Sequence, residues 1–248
     1  MYQEINSSVF SLPKALLKLG NYSRGESDDL IQQGKVTVNQ KVVKETNTRV
    51  NLITDVIKVD GHTVEHKDKV YIMLNKPSGV ITTASDDIRR ETVYDYLKDD
   101  RMPWVVPVGK LDKASEGLIF LTNDYKWAEK LAAAEPKLEK TYHMKINLVP
   151  DEEMIEKMKT GVKTDSGEVI SFKEVKINKA ADKFSWVEFV IIEGKDKQIR
   201  RLLSALNLNA FRLIKAAIGP VRIGELQKGR YRRLNEVEME ALKDLISS

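Results

Sequence analysis

The sixteen residues Gly109 to Asp124 place one carboxylate, Asp112, in a polar loop bracketed by Gly109 and Gly117, and the loop runs straight into the apolar stretch Leu118 to Leu121. A strand of that composition is rigid once buried, and an acid at its mouth is mounted as a reacting group must be. The same acid, taken alone, also reads as a turn or capping residue. Further along, Ile199, Leu202, Leu203 and Leu206 recur at i, i+3, i+4 and i+7 and predict a helix with one buried face. At about 100° per residue Arg200 falls on the flank of that face and Arg201 nearly opposite it. Arg200 can then reach inward to a buried acid, or the two arginines form an exposed pair. Tyr142, in Lys140-Thr141-Tyr142, opens a predicted strand, where its phenol is either a proton-transfer group or simply a core aromatic.

The elements that must position these residues follow from punctuation and periodicity. Leu12, Ala15, Leu16 and Leu19 predict a short helix with Gly20 as its C-cap, and Ser23-Arg24-Gly25-Glu26 has the form of a capping box that opens a second helix ending at Gly34. Lys35 to Asn39 alternates as a strand, Asn39-Gln40 reads as a turn, and Val42-Val43 begins the return strand. Val56 to Val59 is a further strand, ending at Asp60-Gly61, after which a polar stretch reads as a linker. The apolar run Val70 to Leu74 then halts at Asn75-Lys76-Pro77-Ser78-Gly79, because proline cannot donate to a ladder. Helices are predicted at 91–97, 127–134 and 151–159, and strands at 140–148 and 186–192. Strands and helices mix without strict alternation, which indicates an α+β fold.

Composition narrows the class. The 248 residues include no cysteine, so disulfides and thiolate metal sites are excluded and an intracellular setting is the default. No apolar run approaches the roughly 18 residues of a membrane span, and Met-Tyr-Gln-Glu-Ile lacks a signal-peptide pattern. A cytoplasmic protein is expected. The net charge of +4 is unevenly spread: Glu193 to Leu234 carries 11 Lys and Arg against three acids. A basic block of that density suits a polyanion, though a solvated basic face would look alike. His62, His66 and His143 have no partner at ligand spacing, and neither phosphate-binding glycine motif occurs, so no metal or cofactor is expected.

Gly-Lys-Leu-Asp-Lys-Ala-Ser-Glu-Gly-Leu-Ile-Phe-Leu-Thr-Asn-Asp resembles the signature of the RNA pseudouridine synthases, in particular their RsuA-type branch. Asn-Lys-Pro-Ser-Gly at 75–79, Lys140-Thr141-Tyr142, Glu193 to Leu202 and the segments from Phe211 to Leu234 match further elements of that family in order. Leu16-Leu17-x-Leu19-Gly20-x-x-Ser23-Arg24 and Leu30-Ile31-x-x-Gly34-x-Val36-x-Val38-Asn39 resemble an S4 RNA-binding domain. The resemblance implies a small S4-like α/β domain at 10–62, a linker at 63–69, and a catalytic domain at 70–248 whose mixed, largely antiparallel sheet is flanked by helices.

It further implies site-specific isomerisation of uridine to pseudouridine in ribosomal RNA or a pre-ribosomal particle, by a monomer with no cofactor. Asp112 takes the place of the nucleophile, Tyr142 packs beside it and against the flipped base, and Arg200 pairs with it. Glu116 has no counterpart among the family's catalytic groups and reads as a loop or surface acid. RNA contacts would fall to Lys14, Lys18, Arg24 and Lys35 in the S4-like module, and to Lys110, Lys195, Lys197 and Arg201 around the site. Lys110 stands where the family has Arg, which keeps the charge and loses the stacking guanidinium. Up to His62 eight basic residues face seven acids, so the module is a weak electrostatic binder. These departures leave one alternative, a catalytically inactive RNA-binding or ribosome-assembly factor that retains the fold.

Overall fold

The computed structural model describes residues 9–19, 22–65, 67–83, 86, 88, 90–97, 102–181, 183–192 and 196–247. By compactness the chain divides into two units, one of Met1–Tyr71, Asp99–Val106 and Thr122–Tyr125, the other of the remaining residues. Among the described residues no helix is long and apolar enough to cross a membrane.

The first unit opens with strand β1 (Val9–Ser11), helix α1 (Leu12–Lys18) and helix α2 (Arg24–Gln32). The expected capping box is present: Ser23 Oγ accepts from the Glu26 amide at 3.1 Å, and the Glu26 carboxylate accepts from the Ser23 amide at 3.3 Å. These bonds satisfy backbone donors that a helix start leaves without partners. Leu12, Ala15 and Leu16 of α1 and Ile31 of α2 are fully buried against the sheet. Gly34 follows α2 at φ +71°, as the left-handed C′ position requires, while Gly20 lies outside the described residues.

Strands β2 (Val36–Val38) and β3 (Lys41–Val43) form the hairpin read from the sequence, with Asn39 and Gln40 both at positive φ. That is the turn geometry that matches strand twist. Strand β4 (Arg49–Asn51) pairs with β1, a contact between segments that the sequence did not link. Strand β5 (Ile57–Val59) joins β2, and β6 (His62–Thr63) folds back on β5 where a polar linker was expected to begin.

The described chain from Tyr71 onward is built on a nine-stranded sheet. Its elements are β7 (Tyr71–Lys76), β8 (Val106–Val108), β9 (Glu116–Thr122), α3 (Tyr125–Ala134), β10 (Lys140–Ile146), α4 (Glu152–Thr160), the pair β11 (Val162–Lys163) and β12 (Val169–Ile170), β13 (Glu174–Ala181), β14 (Phe184–Ile191), α5 (Asp196–Ala205), β15 (Ala210–Ile218), β16 (Val221–Arg222), β17 (Tyr231–Arg233) and α6 (Glu236–Ser247). The sheet order is β13-β14-β10-β15-β9-β7-β17, with β16 beside β15 and β8 beside β9. Pairing is antiparallel from β13 through β15, and parallel between β15 and β9. The α+β expectation therefore holds, with a mixed, largely antiparallel sheet.

Three local expectations change. The strand expected to stop at Asn75 continues through Lys76, because Asn75 still exchanges backbone hydrogen bonds with Arg230 and Gly229. The helix expected at 91–97 is a single 3-10 turn, Val93–Tyr96, closed by Thr92 and Asp95. Its β-branched and aromatic residues propagate a helix poorly, and the cap satisfies the one turn they make. Helix α6, which was not anticipated, is anchored by Arg232, whose guanidinium donates to both oxygens of Glu238.

Candidate active site

Strand β9 is buried along its whole length, including Glu116 and Thr122. It is the fixed rod from which the Asp112 loop hangs. The Asn75-to-Gly79 turn fastens that loop from below. The Gly79 amide donates to Lys113 O at 2.7 Å, Thr82 Oγ1 to Leu111 O at 3.1 Å, and Ser78 Oγ to Ala114 O at 3.4 Å. Lys76, fully buried, donates from Nζ to Ser115 O at 2.7 Å and Pro77 O at 2.9 Å. Within the loop the Ser115 amide closes a turn on Asp112 O at 3.0 Å. Two motifs that the sequence separates by some thirty residues are thus one structural object, and Asp112 sits half-buried at its tip.

Tyr142 lies on β10, only 1% exposed. On the β14 side its ring stacks on Phe189, centroids 5.5 Å apart at 9°, and Phe189 in turn stacks on Phe172. On the β15 side it faces Lys215, whose Nζ lies 5.8 Å from the ring centroid. Lys215 is in register with Gly117 of β9, five residues after Asp112. The backbones are so close there that a Cβ on Gly117 would stand 2.3 Å from Lys215 O, and Gly117 has φ +109°. Only glycine meets both conditions. The row Tyr142, Lys215, Gly117 therefore spans three neighbouring strands.

Arg200 is half-buried on α5, whose face of Ile199, Leu202 and Leu203 is buried as its spacing predicted. It opens onto a concavity of about 420 Å³ shared with Leu203, Ser204, Asn207 and Ala210. Arg201 is exposed and meets Glu168 at 3.7 Å. Lys110 is exposed at the loop entrance. Lys195 and the side chain of Lys197 lie outside the described residues. In the first unit Lys14, Arg24 and Lys35 are exposed, and Lys14 and Lys18 carry their ammonium groups 5.7 and 4.7 Å from the Phe10 ring centroid.

Glu116 corrects the sequence reading. It is not a surface acid but 5% exposed, gripped by Arg212 through two bonds of 2.9 and 2.8 Å and by Lys228 at 2.8 Å. Burial alone would raise its carboxyl, but the hydrogen bonds from Arg212 and Lys228 outweigh that and hold it below the usual carboxylate value. Arg212 also lies 5.4 Å from the Trp186 ring centroid. Glu116 thus ties the head of β9 to β15 and to the loop that carries Lys228. The sequence reading makes Glu116 a loop or surface acid and gives Lys215 no role beyond its share of the basic block. The available signal was an acid or a lysine at an inward position of an apolar strand.

The RNA pseudouridylate synthase family model matches residues 70–205, and the S4 domain model matches residues 11–57. The ribosomal large subunit pseudouridine synthase B of Bacillus subtilis is 33% identical over 235 residues, covering 94% of this chain and 96% of that protein. Its namesake in Pseudomonas aeruginosa is 31% identical over 240 residues, covering 94% of this chain and 61% of that protein. A crystal structure described as a pseudouridylate synthase superposes with a TM-score of 0.61 at 25% identity, covering 93% of this chain and 98% of its own. None of these findings favours the catalytically inactive alternative. With the synthase model spanning more than half of the sequence and curated relatives matching almost all of it, the chain belongs to the RNA pseudouridine synthases, with an S4 domain ahead of the synthase region.

Proposed function

We propose that the protein converts uridine to pseudouridine in ribosomal RNA, with Asp112 as nucleophile, Tyr142 beside it, Arg200 as an inward cation, and no cofactor. The observation that carries this is the mounting of Asp112 on a loop tied down by the Asn75-to-Gly79 turn at the head of a wholly buried strand. The names of the curated relatives point to the large ribosomal subunit as the source of the substrate. In this reading residues 10–62 are the S4 module, 63–69 a linker and 70–248 the catalytic domain, acting as a cytoplasmic monomer.

The chemistry needs only bond exchange. An Asp112 oxygen forms a bond to ribose C1′ while the electron pair of the N1–C1′ bond leaves on the base. The base turns, C5 gives a pair to C1′, and Asp112 departs with its own pair. C5 loses a proton and N1 gains one, so nothing is oxidised or reduced. Phe189 occupies one face of the Tyr142 ring, so a flipped base meets Tyr142 from the β15 side. Lys14, Lys18, Arg24 and Lys35 hold the phosphate backbone at the S4 module, and Lys110, Lys195, Lys197 and Arg201 do so near the site.

The test is tritium release from ribosomal RNA labelled at uridine C5. Wild type releases label, and Asp112→Ala lowers the rate by at least about a thousandfold. An active Asp112→Ala, or a wild type inactive on both naked and ribosome-bound RNA, overturns the reading.

A further inference from the structure

We propose that Lys215 is the fixed cation of the reaction centre: its ammonium stabilises the negative charge that passes from Asp112 to uracil as the N1–C1′ bond breaks. The inference rests on the reading of Asp112 as nucleophile given above.

Four observations lead to it. First, Lys215 is 5% exposed, although lysine is among the side chains least often buried and has a stem long enough to keep its charge in water. Second, it is in register with Gly117 on one side and Tyr142 on the other, so it stands between the strand that carries the Asp112 loop and the strand that carries the stacking aromatic. The approach of β15 to Gly117 is so tight that no side chain fits between them. Third, the β10–β15 ladder slips by one residue at this point: Thr141 pairs with Ala217 and Tyr142 with Lys215, leaving Ala216 as the extra residue of a bulge. Bulges re-aim side chains and concentrate beside active sites. Fourth, Phe189 covers the β14 side of Tyr142, so a base that stacks on Tyr142 arrives where the Lys215 ammonium already lies.

The other charges near the Asp112 loop have different places. Lys110 and Lys113 belong to the loop itself and are exposed. Lys76 lies beneath it with its ammonium on two backbone carbonyls. Glu116 is closed by Arg212 and Lys228, and Arg200 comes from α5 at the rim of its own concavity. Lys140, also buried, sits on Tyr142's own strand and donates to Ile192 O at 3.4 Å, whereas Lys215 is the buried cation that stands between β9 and Tyr142. During reaction the charge starts on Asp112, moves to the base when the glycosidic bond breaks, and returns when C5 attacks. A cation set between the two places serves both without moving, and need not give up a proton. Such preorganised charge acts where water is excluded.

The experiment is single-turnover tritium release by the full-length protein, for Lys215→Met, Lys215→Arg and Asp112→Ala, each first confirmed as folded by its melting curve. Lys215→Met is expected to lower the rate by about a hundredfold with little change in RNA affinity. Lys215→Arg restores most of the rate. If Lys215→Met does not fold, Lys215→Gln supplies the uncharged variant. A folded uncharged variant with a rate within about threefold of wild type overturns the inference. The two readings fail separately. An active Asp112→Ala removes the nucleophile, whereas an inactive Asp112→Ala beside a fully active Lys215→Met removes only the role of Lys215.

Discussion

Among the described residues of 9–65 no Lys, Arg, Asp or Glu is buried, whereas Lys76, Glu116, Lys140 and Lys215 of the synthase sheet all are. The two regions are of similar local regularity, with capped helices and short turns of the expected kind. They differ in where charge is kept. An exposed ammonium in water costs nothing to maintain and attracts any polyanion within a Debye length. A buried one loses its hydration and must recover that loss from fixed partners. The N-terminal module is therefore organised for diffuse attraction, and the sheet around β9 for charge in a defined place.

The harshest way to break that contrast is at Gly117. A Cβ there meets Lys215 O at 2.3 Å and must also accept φ +109°. Gly117→Ala is expected to cost about 3–4 kcal/mol, since a backbone clash and a disfavoured φ act together. A melting curve unchanged from wild type would show that β9 and β15 can separate without loss, and that the row from Gly117 to Tyr142 is not held by register.

Glu116 gives the next largest effect. Removing it leaves Arg212 and Lys228 without their shared acid, but both cations are about half exposed, so Glu116→Ala is expected to cost about 2 kcal/mol. Its folded carboxyl titrates below the unfolded one. Its contribution is therefore complete above the ordinary carboxylate value of about 4.3 and disappears as pH falls through the lower folded value. Glu116→Gln should then melt lower than wild type at neutral pH and converge with it in acid. Parallel melting profiles at all pH values would mean that the three-way pair is electrostatically idle.

What could be read ahead of time divides along the same line. The capping box at Ser23, the paired turn residues Asn39 and Gln40, and the apolar face of α5 are local patterns, settled within a few residues of chain. The loop of Asp112 and its apolar strand were legible for the same reason. Lys215 was not, because its meaning comes from register with Gly117, almost a hundred residues earlier, and from a bulge that alternation alone does not reveal. Glu116 looked like a surface acid because its partners, Arg212 and Lys228, lie equally far along the chain. Val93–Tyr96 makes one 3-10 turn where a helix is expected, because its β-branched and aromatic residues propagate a helix poorly.

In the N-terminal module the expected effects are smaller. Ser23→Ala removes the hydroxyl that accepts from the Glu26 amide and should cost about 1 kcal/mol. Hydrogen exchange should rise in the first turn of α2 while the protection of β9 stays unchanged. Faster exchange in β9 would mean that the two regions unfold as one, and that charge placement does not track separate stability.

The smallest effect is the most specific test of diffuse binding. Lys14 and Lys35 are exposed, and replacing either with Ala leaves the buried core of the module intact. If each neutralises one phosphate, each substitution lowers the slope of log affinity against log salt by about 0.7–0.9, the value for one fewer released counterion. Affinity for RNA should fall a few-fold at low salt and converge with wild type as salt rises, because screening removes what the mutation removed. The rate of tritium release at saturating RNA should not change. A Lys14→Ala that weakens binding equally at every salt concentration would point instead to a contact of fixed geometry through the Phe10 ring over which Lys14 lies, and the module would then resemble the sheet more than its surface charge suggests.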